Sequence, residues 1–158
     1  MAGAAERFEA SARAAGMAVA IRRFPEGTRT AADAAAAIGC DVGQIVKSLV
    51  FVGEGGAFLA LTSGSNRADP VRLAMLLGDT STVRKATADE AREATGFAIG
   101  GTPPFGHPRR LRVFVDHDLM AHPVLWAAAG TPDAVFPISP EDLLRHSGGD
   151  VVDLKAEA

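Results

Sequence analysis

The spacing of apolar residues changes period several times along the chain, and each change marks an element. Ala4 to Ala15 carries Phe8 and small apolar residues at helical spacing and stops at Gly16. Val19 to Phe24 reads as a strand before Pro25. Thr30-Ala-Ala-Asp33 is a capping signal for an alanine-rich helix that ends at Gly39. Asp41-Val-Gly-Gln44 resembles a second capping box, opening a short helix that carries Lys47. The apolar runs Leu49–Val52 and Ala57–Leu61 flank Gly53-Glu54-Gly55-Gly56, the strongest hairpin signal in the chain.

Asp69-Pro70 supplies an N-cap and an N1 proline for a helix running to Leu77. Thr87 caps another helix, with Asp89 and Glu90 in its first turn and Gly96 after its end. Phe97 to Ile99 is short and apolar. Leu111, Val113 and Val115 alternate with Arg110, Arg112 and Phe114, as in a strand with one buried face. Val124–Ala128 and Ala134–Pro137 are further strands, Ser139-Pro140-Glu141 opens a final helix, and Val151–Leu154 closes as a strand. Helices and strands mix without strict βαβ alternation. The expected class is therefore α/β in the mixed, α+β sense: a mixed or antiparallel sheet with helices packed around it.

Composition narrows the class. The chain has 158 residues, 47% of them hydrophobic and 22% charged, as in an ordinary globular protein. One domain spanning 1–158 is expected. No apolar run reaches membrane-spanning length, and the charged N-terminus lacks the apolar core of a signal peptide, so a cytoplasmic protein is expected. Cys40 is the only cysteine, which excludes an internal disulfide and a multi-cysteine metal site. The net charge of −3 argues against a non-specific nucleic-acid binder, but not against a protein that grips one short nucleic-acid end with a few arginines. Of the 16 basic residues 13 are arginine, so the three lysines stand out.

Three segments are candidates for chemistry. Lys47 sits in Ile45-Val-Lys-Ser-Leu-Val-Phe-Val52, the most apolar stretch. An ammonium there either snorkels to water or projects into a polar cavity, where it could hold a phosphate, a carboxylate or a carbonyl oxygen. Gly100-Gly-Thr-Pro-Pro-Phe-Gly-His107 is stiffened by two prolines. It is either a rigid connection or a loop that aims its remaining amides at one oxygen. Ala127-Ala-Ala-Gly-Thr-Pro-Asp133 is either a tight turn or the wall of a pocket for a small ligand. The four histidines lack ligand spacing, and no Walker, dinucleotide or nucleophile-elbow motif occurs.

Taken together, Thr28–Ala35, Val42–Phe51, Ser63-Gly-Ser-Asn-Arg67, Thr95–His107 and Trp126–Thr131 resemble the YbaK family, which includes free-standing relatives of the editing domain of bacterial prolyl-tRNA synthetases. The resemblance runs from about Phe24 to Leu154. It implies a compact, barrel-like mixed sheet surrounded by helices. It also implies an aminoacyl-tRNA deacylase that acts in trans, without metal or other cofactor, on the ester at the tRNA 3′-adenosine. The tRNA acceptor end is the implied partner and prolyl-tRNA synthetase a second one; monomer and homodimer are both open.

On that resemblance Lys47, Gly100 and Gly101 are the catalytic candidates. Lys47 would hold the terminal phosphate or the carbonyl region, and loop amides would stabilise developing negative charge. Water, oriented by the loop or by a ribose hydroxyl, would attack. Substrate contacts are expected at Thr28, Ser48, Thr102, Pro103, Pro104, Phe105, Gly106, His107, Ala129, Gly130 and Thr131. Phosphate contacts are expected at Arg29, Arg67 and Arg109. The expected substrate is proline tRNA carrying alanine or 2-aminobutyrate, and next cysteine. A non-catalytic module that binds an aminoacyl-adenosine end or a synthetase is the competing class. Both need Lys47 and the Gly100–Gly106 loop to line one cleft.

Overall fold

The computed structural model describes residues 3–24, 30–78 and 82–157. Among these, five helices form: α1 (Ala4–Ala14), α2 (Ala31–Ile38), α3 (Pro70–Leu77), α4 (Ala88–Thr95) and α5 (Pro140–Ser147). Eight strands form: β1 (Arg22–Arg23), β2 (Ile45–Gly53), β3 (Gly56–Ser63), β4 (Arg84–Lys85), β5 (Val113–Asp116), β6 (Leu125–Ala128), β7 (Ala134–Ile138) and β8 (Asp150–Val152). They make one mixed sheet in the order β1-β7-β6-β2-β3-β5-β8, with β4 also paired to β2.

Local chemistry explains the helix boundaries. The Thr30 side chain accepts from the Asp33 amide, and Asp69 accepts from Val71 with Pro70 at the first helical position. Thr87 and Glu90 cap each other reciprocally, and Ser139 accepts from Asp142. Each cap satisfies amides that lack an intrahelical carbonyl.

Three expectations change. The Asp41–Gln44 signal opens only a 3-10 turn over Val42–Gln44, and Lys47 lies on strand β2. The strand, rich in β-branched Val46, Val50 and Val52, pairs with β3 from Val46↔Ser63 to Gly53↔Gly56, and tertiary pairing overrides the local helix start. The Val19–Phe24 strand shrinks to Arg22–Arg23, because Val19 and Ile21 turn onto the core instead. The four residues of β5 are all buried, so its alternation does not mark a wet face.

The reason is that both sheet faces are covered. On one face Leu59, Leu61, Val113, Val115 and Phe136 pack with Phe8 of α1, Ala91 of α4 and Leu143 of α5. On the other, Phe51, Phe58, Ala60 and Phe114 pack with Leu73 of α3 and Leu154. Residues of β3 alternate between these clusters with the period of two that a pleated strand imposes. A smaller cluster joins Ala34 and Ala35 of α2 to Ile45. No helix among the described residues is long and apolar enough to cross a membrane.

Phe8 anchors α1: its ring lies 4.9 Å from that of Phe136 and 5.4 Å from that of Phe105, and it is fully buried. Phe8→Ala should cost roughly 3–5 kcal/mol through lost burial and the cavity left behind. Urea unfolding checks this; a loss below about 1 kcal/mol would show that α1 is not part of the cooperative core.

Candidate functional site

Strand β2 has an unusual neighbourhood. One edge pairs continuously with β3. The other edge is shared by two strands at different heights. β6 pairs in parallel at Ile45↔Trp126 and Val46↔Ala127, and β4 pairs at Phe51↔Lys85 and Val52↔Arg84. Between them the Val50 carbonyl accepts from the Ala86 amide. Backbone polarity alternates along a strand, so Ser48 presents its own N–H and C=O to the same edge as Val50. Among the described residues no strand pairs there with Lys47–Leu49.

A cleft of about 610 Å³ fills this interruption. It is lined by Lys47, Ser48, Leu49 and Val50 of β2, by Gly100 and Thr102 of the Gly/Pro loop, and by Trp126, Ala127 and Ala128 of β6. Thr30, Ala31 and Ala34 at the start of α2, Lys85 of β4, Ala86, Ala91 and Pro132 also line it. Lys47 and the loop thus share one cleft.

Lys47 is half-buried, and its Nζ donates to the Asn66 carbonyl at 2.5 Å. Burial pushes its pKa below the ordinary lysine value, and the nearby cations Lys85 and Arg67 push the same way; Asp116 opposes them. The Ser48 hydroxyl is buried without a hydrogen-bond partner. Ser48 lines the cleft, but its hydroxyl oxygen is itself out of solvent contact, and its hydrogen-bonding capacity is unused.

The loop divides its residues between cleft and core. Gly101 lies behind the wall: its amide donates to the Ala98 carbonyl and its own carbonyl accepts from the Gly130 amide. A Cβ on Gly101 would stand 2.7 Å from the Gly130 carbonyl oxygen, so only glycine lets the two turns touch. The Gly101 amide is therefore committed, which removes it from the expected charge-stabilising set. The amides of Gly100 and Thr102 donate to no backbone carbonyl among the described residues. The Thr102 hydroxyl donates to Ala98.

Pro103, Pro104 and Phe105 are buried away from the cleft, and Phe105 packs on Phe8, Phe136 and His146. Gly106 sits over Phe8 and Ser11 of α1. His107 Nε2 donates to the Pro103 carbonyl at 2.7 Å, and its ring meets Phe97 edge-on. These five residues hold the loop's shape from behind. Ala129 belongs to the main core. Gly130 passes under α1, where a Cβ would meet the Ala4 carbonyl oxygen at 2.6 Å, and Thr131 donates to Asp133.

Arg67 is exposed beside Lys47, while Arg109 is exposed in the bend beyond the loop and does not line the cleft. Thr28 and Arg29 lie outside the described residues. Sequence reasoning missed Lys85 and the alanines of α2, which line the cleft. Cys40 packs on the small cluster beside α2, where burial and then Asp41 raise its thiol pKa. Among the described residues no group of three or more potential metal-ligating side chains gathers.

Residues 25–146 match the model of the aminoacyl-tRNA editing domain family, and the chain belongs to that family. A solved structure described as a candidate trans-editing enzyme for prolyl-tRNA synthetase is similar over 99% of both chains, with 47% identity and a TM-score of 0.93. The proline–tRNA ligase of Nitratidesulfovibrio vulgaris (strain DP4) is 33% identical over 93 residues, which cover 59% of this chain and 16% of the ligase. EbsC of Enterococcus faecalis, a candidate Cys-tRNA(Pro)/Cys-tRNA(Cys) deacylase, is 24% identical over 79% of this chain and 76% of its own length.

The partly buried His107 has a checkable consequence. Burial lowers its pKa below the ordinary 6.5, outweighing the bond to Pro103. Between that depressed value and 6.5 the unfolded chain binds more protons than the folded one. Stability should therefore fall as pH drops through this window. His107→Gln, which keeps a donor for Pro103, should flatten the fall when thermal unfolding is followed from about pH 7.5 to 5.5. An unchanged slope would show that His107 is not held neutral by the loop.

Proposed function

We propose that this chain is a trans-acting aminoacyl-tRNA deacylase. It would hydrolyse the ester of mischarged tRNA, with proline tRNA carrying alanine or 2-aminobutyrate as first substrate and cysteine next. The observation that carries the reading is the convergence of Lys47, the open edge of β2 and the Gly100–Thr102 turn on one cleft walled by alanines.

The chemistry follows from the groups present. An aminoacyl ester is already activated, so hydrolysis needs orientation and charge stabilisation more than a strong protein nucleophile. Lys47 supplies a cation at the cleft wall; one of its three donors is held by Asn66, which leaves two for a phosphate or carbonyl oxygen. The amides of Gly100 and Thr102 are the loop donors left for the developing oxyanion once Gly101 is committed. Lys85 and Arg67 extend positive potential from Lys47 and suit the terminal phosphates of an acceptor end. This short cationic grip is compatible with a net charge of −3, because few phosphates need neutralising.

Selectivity would be steric. Ala31, Ala34, Ala127 and Ala128 narrow a pocket that takes a small side chain, and a wall excludes a larger group more effectively than weak apolar contacts reject a smaller one. The resemblance to a candidate trans-editing enzyme along the whole chain supports action on tRNA released from the synthetase.

Proline tRNA charged with alanine, 2-aminobutyrate, cysteine, serine or proline provides the test. Alanyl and 2-aminobutyryl esters should be hydrolysed fastest and the prolyl ester spared. Lys47→Ala should lower kcat/KM on the order of 100-fold, with circular dichroism unchanged. Failure to hydrolyse any of these esters, with the acceptor end still bound, would make the chain a binding module.

A further inference from the structure

Lys47 reaches the cleft on a stem of four rotatable bonds, and an ammonium on such a stem samples several rotamers unless something holds it. Here the hold is the carbonyl of Asn66, in the turn that leaves β3. That turn is pinned to the end of β5. The Asn66 side-chain amide donates to Asp116 Oδ2 and to Asp118 Oδ2, both at 2.9 Å. Asp116 Oδ2 also accepts from the Ser63 amide at 3.0 Å, and its Oδ1 accepts from the Asp118 amide at 3.0 Å. Asp118 is clamped in turn by Lys155 Nζ at 2.9 Å. Asp116 is 1% exposed, and every bond it makes here is one in which it accepts, the pattern of an ionised carboxylate.

The buried carboxylate divides its two oxygens at the end of β5: Oδ1 caps the 3-10 turn His117–Ala121, and Oδ2 reaches across to the turn that leaves β3, beyond the point where β3 and β5 pair at Leu59–Leu61 with Val113–Val115. The Oδ2 bonds fix the turn whose carbonyl holds Lys47. We propose that Asn66 and Asp116 are positioning residues for Lys47: Asp116 locks the Asn66 side chain, and the locked turn aims the Asn66 carbonyl at the ammonium. This rests on the deacylase reading of the cleft and adds to it the part of the protein that orients its cation.

The pair also balances charge. Among the described residues three charged groups act on Lys47: Lys85 of β4 and Arg67 of the turn disfavour its protonated form, and Asp116 favours it. Lys47 acts only while protonated, so activity is present below its pKa and is lost as pH rises through it. Removing the Asp116 charge lowers that pKa further, and the loss then begins at lower pH.

The experiment uses the full chain labelled with 13C,15N-lysine. There are only three lysines, so the Lys47 side-chain signal can be assigned by lysine-to-arginine substitution. Asp116→Asn should move the Lys47 titration midpoint, and the alkaline limb of kcat/KM on alanyl proline tRNA, down by about half a pH unit or more. Asn66→Ala, at a partly exposed turn position, should lower kcat/KM roughly tenfold while the chain stays folded, because the cation loses its aim. Folded variants with wild-type kcat/KM and an unmoved Lys47 midpoint would overturn the proposal. So would a failure of both variants to fold, which would make the network part of the scaffold alone. If the wild type hydrolyses no ester yet the Lys47 midpoint still moves in Asp116→Asn, the deacylase reading falls and the positioning role stands.

Discussion

The structure depends on one constraint: strand β2 shares a single edge between β6 and β4, and the two do not meet. A buried strand edge with unpaired amides and carbonyls is costly, so the sheet interior cannot simply close over it. Among the described residues the interruption at Lys47–Leu49 opens instead into the cleft. The candidate site gathers at that break. Lys47 and Ser48 line it, the buried Ser48 hydroxyl without a partner, and the glycine–proline loop closes the space from one side.

The loop keeps its shape because the core holds its back. Phe105 is buried among Phe8, Phe136 and His146, and Gly101 touches Gly130 backbone to backbone. Helix α1 lies over both, with Gly106 against Phe8 and Gly130 against the Ala4 carbonyl. A rigid turn backed by a packed aromatic cluster is what preorganised donors require, since they must not rearrange when charge develops before them.

Much of this was legible in the residues. The capping residues at Thr30, Asp69, Thr87 and Ser139 mark four helices, and the glycine-rich turn after Val52 marks the β2–β3 hairpin. Lys47 stood out because an ammonium in an apolar run needs a reason. Its element did not, since a capping signal at Asp41 competes with β-branched residues and only pairing with β3 decides between them. The division of the loop was also hidden. Nothing in Gly100–His107 tells which residues face the cleft, because that depends on α1, about ninety positions away. Asn66 lies in the Ser63–Arg67 segment that carries the family resemblance, but its tie to Asp116 left no signal, because the two are joined only when β3 and β5 align.

The central claim is that the break in β2 receives the aminoacyl end of tRNA. The most direct measurement is backbone NMR with an amide-linked, non-hydrolysable 3′-alanylamino-adenosine. The expected result is saturable shifts at Lys47, Ser48, Val50, Gly100, Thr102 and Ala127, with α3 unmoved. Saturable shifts that avoid these residues, or no binding at millimolar ligand, would contradict the account.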